Sequence, residues 1–316
     1  MPDSTATARR PSFIIGGAAK SGTTTLHHLL DQLPGVFIPR DELYVFAIDD
    51  IEQHPDFFVA PDGTWLHRDF DANRAEYLDW YASWYRSAPA GALLGEDSTS
   101  YLASARAARR IRHELPDVKL IFLLRDPSQR TYSQYWHDLR VGRVVEDFEA
   151  TLRHAPGTLI QRSLYREQVA RYLDCFPARQ LKFLLFEHLV ADPLAVLREV
   201  LDFLEVEASG DLRATDHRNP ARVPRSLALQ LWRNRLFRDR VASRFRGHLP
   251  GTIAPTGTGE RLVRGRWARL MFRHDRRPPP MQPVTHRFLD HLFMHENDGL
   301  GELIGRDVNS AWYRGI

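Results

Sequence analysis

The residues best suited to chemistry lie in one glycine-bearing loop, residues 17–26, which reads Gly-Ala-Ala-Lys-Ser-Gly-Thr-Thr-Thr-Leu. The loop follows a short apolar run and precedes a helical pattern, and a strand-to-helix turn of this kind binds phosphate through backbone N–H groups and the helix dipole. Gly17 and Gly22 match the G-x-x-x-x-G frame of nucleoside-triphosphate-binding loops, but Thr23 stands where that class has its lysine. Because Lys20 precedes the second glycine instead, the loop predicts phosphate binding by a different arrangement from that of an ATPase.

A second candidate phosphate contact follows another apolar run, residues 118–124 (Val-Lys-Leu-Ile-Phe-Leu-Leu), which is typical of a central parallel strand. Arg125 leaves the end of this run, and Ser133 follows about two turns into a predicted helix. Ligands of open α/β sheets bind at the carboxyl ends of the strands, and a guanidinium suits a dianionic phosphate. The spacing therefore predicts that Arg125 and Ser133 face one site.

The segments Lys20-Ser21-Gly22-Thr23-Thr24 and Arg125-Asp126-Pro127 through Ser133 resemble the two donor-binding motifs of sulfotransferases that use 3′-phosphoadenosine-5′-phosphosulfate (PAPS). The resemblance implies that PAPS is the co-substrate, that no metal is needed, and that Arg125 and Ser133 hold its 3′-phosphate. It implies that the 5′-phosphosulfate is held by Lys20, Ser21, Gly22, Thr23, Thr24 and Thr25. Lys20 is then also catalytic, because it neutralises charge on the leaving oxygen.

Two further side chains are candidates for proton transfer. Glu42 resembles the catalytic glutamate in a Lys-Glu-x-x-Phe-Phe element of carbohydrate-type members, although Asp41 replaces the lysine. His137 lies one helical turn after Ser133, where some heparan-type members carry a histidine. Either side chain is a candidate base; the ordinary alternatives are an exposed helix-capping carboxylate and a solvent-facing histidine. In a stretch that resembles the family's Glu-Lys-Thr-Pro-x-Tyr, Asp97 replaces the lysine.

The elements that must position these residues alternate between short apolar runs and longer amphipathic stretches. Strands are predicted at residues 13–18, 36–38, 92–95, 118–124 and 181–186. Helices are predicted at 24–33, 75–85, 101–115, 127–141, 162–175, 192–204 and within 286–305. This alternation predicts an α/β fold, a P-loop-like three-layer α/β/α arrangement around a central parallel sheet.

The charge distribution divides the chain. Of 43 basic residues only three are lysines, and residues 218–280 hold 16 arginines against three acidic residues. We expect a disordered tail at 1–12 and a single sulfotransferase domain at 13–316. Within that domain, 218–280 form a basic, largely helical, Arg-rich insertion, and 281–316 form helices that complete the domain.

Composition narrows the function classes. The formal net charge of +3 points to no polyanionic partner, and the single cysteine, Cys175, excludes an internal disulfide. No window approaches the ~18 apolar residues of a membrane span, so we expect a cytoplasmic protein with possible peripheral contact with an anionic membrane. The expected acceptor is a small molecule or carbohydrate, not nucleic acid. The alternatives are a P-loop-type kinase or other NTP-dependent enzyme, and a non-catalytic nucleic-acid or anionic-surface binding protein that uses the Arg-rich segment. The oligomeric state is left open.

Overall fold

The computed structural model of the chain describes residues 9–60, 63–207, 223–242, 249–250, 272–273 and 278–313. The strands in it are β1 (Phe13–Gly17), β2 (Val36–Phe37), β3 (Leu93–Asp97), β4 (Lys119–Leu124), β5 (Leu181–Leu185), β6 (Val223–Pro224) and β7 (Phe272–Arg273). The first five form one parallel sheet in the order β2-β3-β1-β4-β5. The chain leaves β1 toward one edge and β4 toward the other, so the two strands flank the switch point at which such sheets bind ligands.

Helices cover both faces of the sheet. They are α1 (Thr23–Asp31), α2 (Arg74–Ser83), α3 (Ala107–Glu114), α4 (Pro127–Val141), α5 (Phe148–His154), α6 (Gly157–Gln161), α7 (Tyr165–Cys175), α8 (Phe186–Ala191), α9 (Pro193–Leu204), α10 (Leu227–Ala242), α11 (Pro283–Glu296), α12 (Leu300–Ile304) and α13 (Val308–Trp312). Among the described helices, none combines the length and the hydropathy that crossing a membrane requires.

The core lies in two layers because successive strand residues point to opposite faces of the sheet. Phe13 and Ile15 pack with α1 and α9 on one face. Ile14 packs with α2, α3 and α7 on the other. A third apolar cluster joins α4 to α5 and α11. The predicted three-layer α/β/α fold with a central parallel sheet is therefore confirmed.

Helix α4 has the bounds that the sequence predicts. Pro127 occupies its first turn, where a missing N–H costs nothing. The Asp126 carboxylate accepts a hydrogen bond from the Gln129 backbone N–H at 2.9 Å and caps the helix. Gly142, in the left-handed conformation, ends it. These local signals fix where α4 starts relative to the end of β4, and so where Ser133 and His137 lie.

The prediction of a helix at residues 101–115 is wrong in its first half, since α3 begins only at Ala107. Tyr101 is fully buried and its hydroxyl donates to Glu96 at 2.6 Å. The Ser104 hydroxyl donates to Asp50 at 2.6 Å. These two side-chain hydrogen bonds, to residues outside the segment, hold residues 101–106 in turns and override their helical pattern.

The predicted N-terminal tail and basic insertion are described only in part. Residues 1–8 lie outside the described residues, whereas Arg9 donates to the Pro89 carbonyl at 2.6 Å and Arg10 to the Glu114 carbonyl at 2.9 Å. Arg9 and Arg10 therefore contact the folded part of the described chain. In the insertion, α10, β6 and β7 are described, and 218–222, 243–248, 251–271 and 274–277 lie outside the described residues.

Candidate active site

The loop between β1 and α1 leaves several backbone N–H groups without an acceptor among the described residues. Gly22 caps α1 with φ 90°, and an added Cβ there would meet Phe186 Cδ2 at 2.9 Å, so only glycine fits this turn. Within the described residues, the N–H groups of Gly22, Thr23 and Thr24 donate to no acceptor. Free N–H groups at a helix N-terminus bind an anion such as phosphate.

The hydroxyl side chains of this loop differ in their exposure. Ser21 and Thr23 are buried, Thr25 is half-buried and Thr24 is exposed. A buried hydroxyl beside free N–H groups is a ready partner for an anionic oxygen, because it otherwise forfeits the hydrogen bonds of water. The loop therefore has the kind of donors that the 5′-phosphosulfate implied by the resemblance would need.

The Lys20 side chain connects the loop between β1 and α1 to helix α4. Its Nζ lies 3.4 Å from His137 Nδ1, and Arg140 Nη2 lies 3.3 Å from the same nitrogen. Burial, and next the charge of Arg140, lower the pKa of Lys20 to about 8, although Glu42 opposes the shift. A lysine held among cations in this way stabilises an incoming negative charge more strongly than an ordinary surface lysine does.

His137 is an uncharged imidazole in this setting. Burial, followed by the charge of Lys20 and then Arg140, lowers its pKa well below the usual range. Since Lys20 and Arg140 are both donors, Nδ1 is the acceptor and the ring proton lies on Nε2. The sequence-predicted pair Lys20 and His137 is therefore brought together, and His137 has little affinity for a further proton.

Arg125 ties the end of β4 to the same loop. Its Nη1 donates to the Lys20 carbonyl at 3.1 Å, and its guanidinium lies over the Phe186 ring at 4.6 Å from the centroid. Burial lowers its pKa. The Tyr165 hydroxyl donates to the Arg125 carbonyl at 3.0 Å and fixes the backbone at the strand end. Ser133 is half-buried on α4, one turn before His137, so both belong to the side of α4 that meets the loop.

Glu42 is neither exposed nor a helix cap. Its Oε1 accepts from the Thr99 N–H at 3.0 Å and from the Thr99 hydroxyl at 2.6 Å. Its Oε2 accepts from the Tyr44 hydroxyl. The Ser98 hydroxyl accepts from the Tyr44 N–H at 3.0 Å and so fastens this segment to the end of β3. Three donors thus orient one carboxylate, whose charge is felt at Lys20.

The structure adds a pair that sequence reasoning missed. His27, buried on α1, places Nδ1 at 3.3 Å from Oδ2 of Asp97, the residue that replaces the family lysine. Burial raises the pKa of Asp97 to about 6. Burial lowers the pKa of His27, but the hydrogen bond to Asp97 and the negative charges of Asp97, Asp31 and Glu42 together outweigh it, so the net shift is upward. The replacement of the family lysine by Asp97 could have drawn attention to this position. Nothing in the sequence around His27 indicates that it pairs with Asp97.

The cationic character of the site extends beyond Lys20. Arg143 and Arg162 both add to the downward shift of the His137 pKa. Arg162 is buried and donates to the Gln53 side chain at 2.8 Å. Several positive charges therefore act at His137, next to Lys20, and this fits a highly anionic substrate such as PAPS.

Comparisons with known proteins agree with this geometry. A family model described as "Sulfotransferase family" matches residues 11–210, and the chain therefore belongs to the sulfotransferase family. The family that the two motifs indicated is confirmed. Membership of this family gives no support to the two alternatives, a P-loop-type kinase and a non-catalytic binding protein.

The chain is similar to curated relatives and to a solved structure. Mouse heparan sulfate glucosamine 3-O-sulfotransferase 3B1 is 31% identical over 202 residues, which cover 61% of this chain and 46% of the mouse protein. Human bifunctional heparan sulfate N-deacetylase/N-sulfotransferase 2 is 27% identical over 214 residues, or 63% and 22% of the two chains. The chain thus spans less than half the length of these relatives. The crystal structure of a sulfotransferase from Alicyclobacillus acidocaldarius is 26% identical with a TM-score of 0.63, covering 97% of this chain and 100% of that chain.

Proposed function

We propose that this protein moves the sulfuryl group of PAPS to an acceptor hydroxyl. The observation that carries the proposal is the meeting of Lys20, with its lowered pKa, and the free N–H groups of Gly22, Thr23 and Thr24 at the end of β1. Family membership supports the reaction class. Lys20, Ser21, Gly22, Thr23, Thr24 and Thr25 hold the 5′-phosphosulfate, and Arg125 and Ser133 hold the 3′-phosphate.

The reaction is a displacement at sulfur. The acceptor oxygen forms the new S–O bond while the bond from sulfur to the bridging phosphate oxygen breaks, and the leaving group is 3′-phosphoadenosine 5′-phosphate (PAP). Lys20 stabilises the charge that collects on the bridging oxygen. Glu42 takes the acceptor proton, because its carboxylate is already oriented by Thr99 and Tyr44. His137 is assigned to contact the sulfuryl oxygens through its neutral ring rather than to act as the base.

A carbohydrate hydroxyl is the acceptor class that we favour. The arrangement of Glu42 as an oriented base suits a hydroxyl, and the named activity of the mouse relative is 3-O-sulfation of a glucosamine. A cytoplasmic location stays a prediction from the sequence.

The test follows transfer of sulfur-35 from labelled PAPS to a panel of glycosides, glycolipids and phenols. We expect label in glycosides, and Glu42→Gln should lower kcat by about 10²- to 10⁴-fold. Affinity for PAP should stay unchanged in that variant. Glu76→Gln, on the exposed face of α2, is the matched control and should keep full turnover. Normal turnover in the Glu42 variant would contradict the assignment of the base, and label in no acceptor would contradict the reaction.

A further inference from the structure

A second carboxylate, Glu96, is linked by hydrogen bonds to the segment that carries Glu42. Glu96 lies in β3 and is fully buried. Its Oε1 accepts hydrogen bonds from the hydroxyls of Ser98 and Tyr101, each at 2.6 Å. Its Oε2 accepts from the Tyr81 hydroxyl. Three neutral hydroxyl groups thus donate to one buried carboxylate.

The Ser98 hydroxyl connects Glu96 to the backbone next to Glu42. It accepts hydrogen bonds from the N–H groups of Leu43 at 3.1 Å and Tyr44 at 3.0 Å. A hydroxyl has two acceptor lone pairs and one proton. Because both lone pairs are occupied, the proton has to be donated, and Glu96 Oε1 accepts it. The Glu96 carboxylate therefore fixes the orientation of the Ser98 hydroxyl, which in turn holds two backbone N–H groups.

The backbone at Tyr44 needs this support. Tyr44 has φ 55°, in the left-handed region that a bulky side chain rarely adopts. The Tyr44 hydroxyl donates to Glu42 Oε2, and Thr99, the residue after Ser98, donates to Oε1. The hydrogen bonds of Ser98 thus hold the conformation from which the donors reach Glu42.

The buried position of Glu96 lowers stability whenever its carboxyl is ionised. Burial raises the pKa of Glu96 to about 7, although the hydrogen bonds from Ser98, Tyr101 and Tyr81 oppose the shift. A group whose pKa rises on folding destabilises the folded protein in its charged form. An apolar side chain would avoid this effect, but it would leave the hydroxyls of Ser98 and Tyr101 without their acceptor.

We propose that Glu96 is a positioning residue for the base: through Ser98 it holds the backbone at Leu43 and Tyr44, so that Glu42 keeps the orientation in which it takes the acceptor proton. The inference rests on the proposed function, since Glu96 acts through Glu42 and need not contact the substrate. Misplacing a reacting group by about 1 Å can lower a rate about 10²-fold. The loss of Glu96 should therefore lower kcat and leave the affinity for PAP unchanged.

The test is a double-substitution cycle that combines Glu96→Met with Glu42→Gln. It measures kcat for transfer of sulfur-35 from labelled PAPS to a glycoside, and PAP affinity by calorimetry. Glu96→Met alone should lower kcat about tenfold and change PAP affinity less than about twofold. In the Glu42→Gln background it should lower kcat less than about twofold further, because the base is already absent. Glu96→Gln, which keeps an acceptor oxygen for Ser98, should lose less than Glu96→Met.

Two other variants separate this role from a general effect on folding. Glu114→Met is the matched control, because Glu114 is a buried carboxylate on α3 that pairs with Arg74 instead. It should keep kcat even if its melting temperature falls. Ser98→Ala removes the connecting hydroxyl and leaves Glu96 in place. It should reproduce the loss in kcat, and it serves as the test if Glu96→Met does not fold.

Full kcat in Glu96→Met or in Ser98→Ala would overturn the proposal, as would a loss of the same size with and without the Glu42 carboxylate. An equal loss in the Glu114 variant would also overturn it. An unaltered chain that labels no acceptor would contradict sulfuryl transfer itself. If the unaltered chain labels the glycoside, any of the other results contradicts the role of Glu96 alone.

Discussion

Binding of PAP should draw a proton onto Lys20. In the free protein, burial and the neighbouring Arg140 lower the pKa of Lys20 to about 8. A phosphate held by the loop places negative charge beside Nζ and returns this pKa toward 10.5, the ordinary lysine value. His137 does not contribute above neutral pH, because its own pKa lies well below the usual range. The second ionisation of a phosphate monoester, near pH ~6, is also complete there.

The expected size follows from these two pKa values. At pH 8 the free protein has about half of its Lys20 protonated, so binding takes up about half a proton. At pH 9 the uptake rises to about 0.9 proton, and at pH 6.5 the contribution of Lys20 falls to about zero. If only the protonated form binds PAP tightly, affinity should fall about tenfold between pH 7 and pH 9.

The assay is calorimetric titration with PAP in buffers that differ in their enthalpy of ionisation, at pH 6.5, 8 and 9. Lys20→Met should abolish the proton uptake. Lys119→Met is the control: Lys119 is the first residue of β4 and pairs with Glu205, so its loss should leave the uptake intact. Uptake that is absent at pH 9, or that persists in the Lys20 variant, would refute the electrostatic role assigned to Lys20.

Four further substitutions test the donor site and its surroundings. Arg125→Ala should weaken PAP by about 10- to 100-fold, the range for a hydrogen bond to a charged group, and leave 5′-AMP, which lacks the 3′-phosphate, almost unchanged. Ser133→Ala should do the same to a smaller degree, and equal losses for both ligands in calorimetry would contradict these roles. Gly22→Ala should lower the free energy of unfolding in urea more than Gly35→Ala does. Both glycines have φ near 90°, but only at Gly22 would the added Cβ meet another group, Phe186 Cδ2 at 2.9 Å. Equal effects of the two substitutions would contradict the steric argument. Because burial raises the pKa of Asp97, the free energy of unfolding should fall as pH rises from about 4 to about 6. Asp97→Asn should make this fall, measured in urea, less steep. An unchanged slope in that variant would show that Asp97 does not cause the fall.

Local signals explain what the sequence could predict. The bounds of α4 follow from Pro127 and the Asp126 cap, which act within one helical turn. The closeness of Lys20 and His137 follows from two motifs that each leave a strand at the same edge of the sheet. Side-chain type, strand order and helix period are enough to bring such residues together.

The features that the sequence could not predict depend on long-range side-chain contacts. Nothing near His27 indicates that Asp97 pairs with it, and nothing near Glu42 indicates that Thr99 orients it. In α10 the two fully buried side chains are the polar Gln230 and Asn234. Their partners are carbonyls at the end of another helix, a requirement that hydrophobic periodicity does not encode.

The most direct test of sulfuryl-donor binding is a side-by-side calorimetric titration of the unaltered chain with PAP and with ATP–Mg²⁺. Lys20 stands before Gly22 rather than after it, and Arg125 lies beside the loop at the end of β4, where we expect the 3′-phosphate. PAP should therefore bind at one site and ATP–Mg²⁺ far more weakly. Tight binding of ATP–Mg²⁺ with no detectable binding of PAP would contradict the assignment of this site to a PAPS-dependent sulfotransferase.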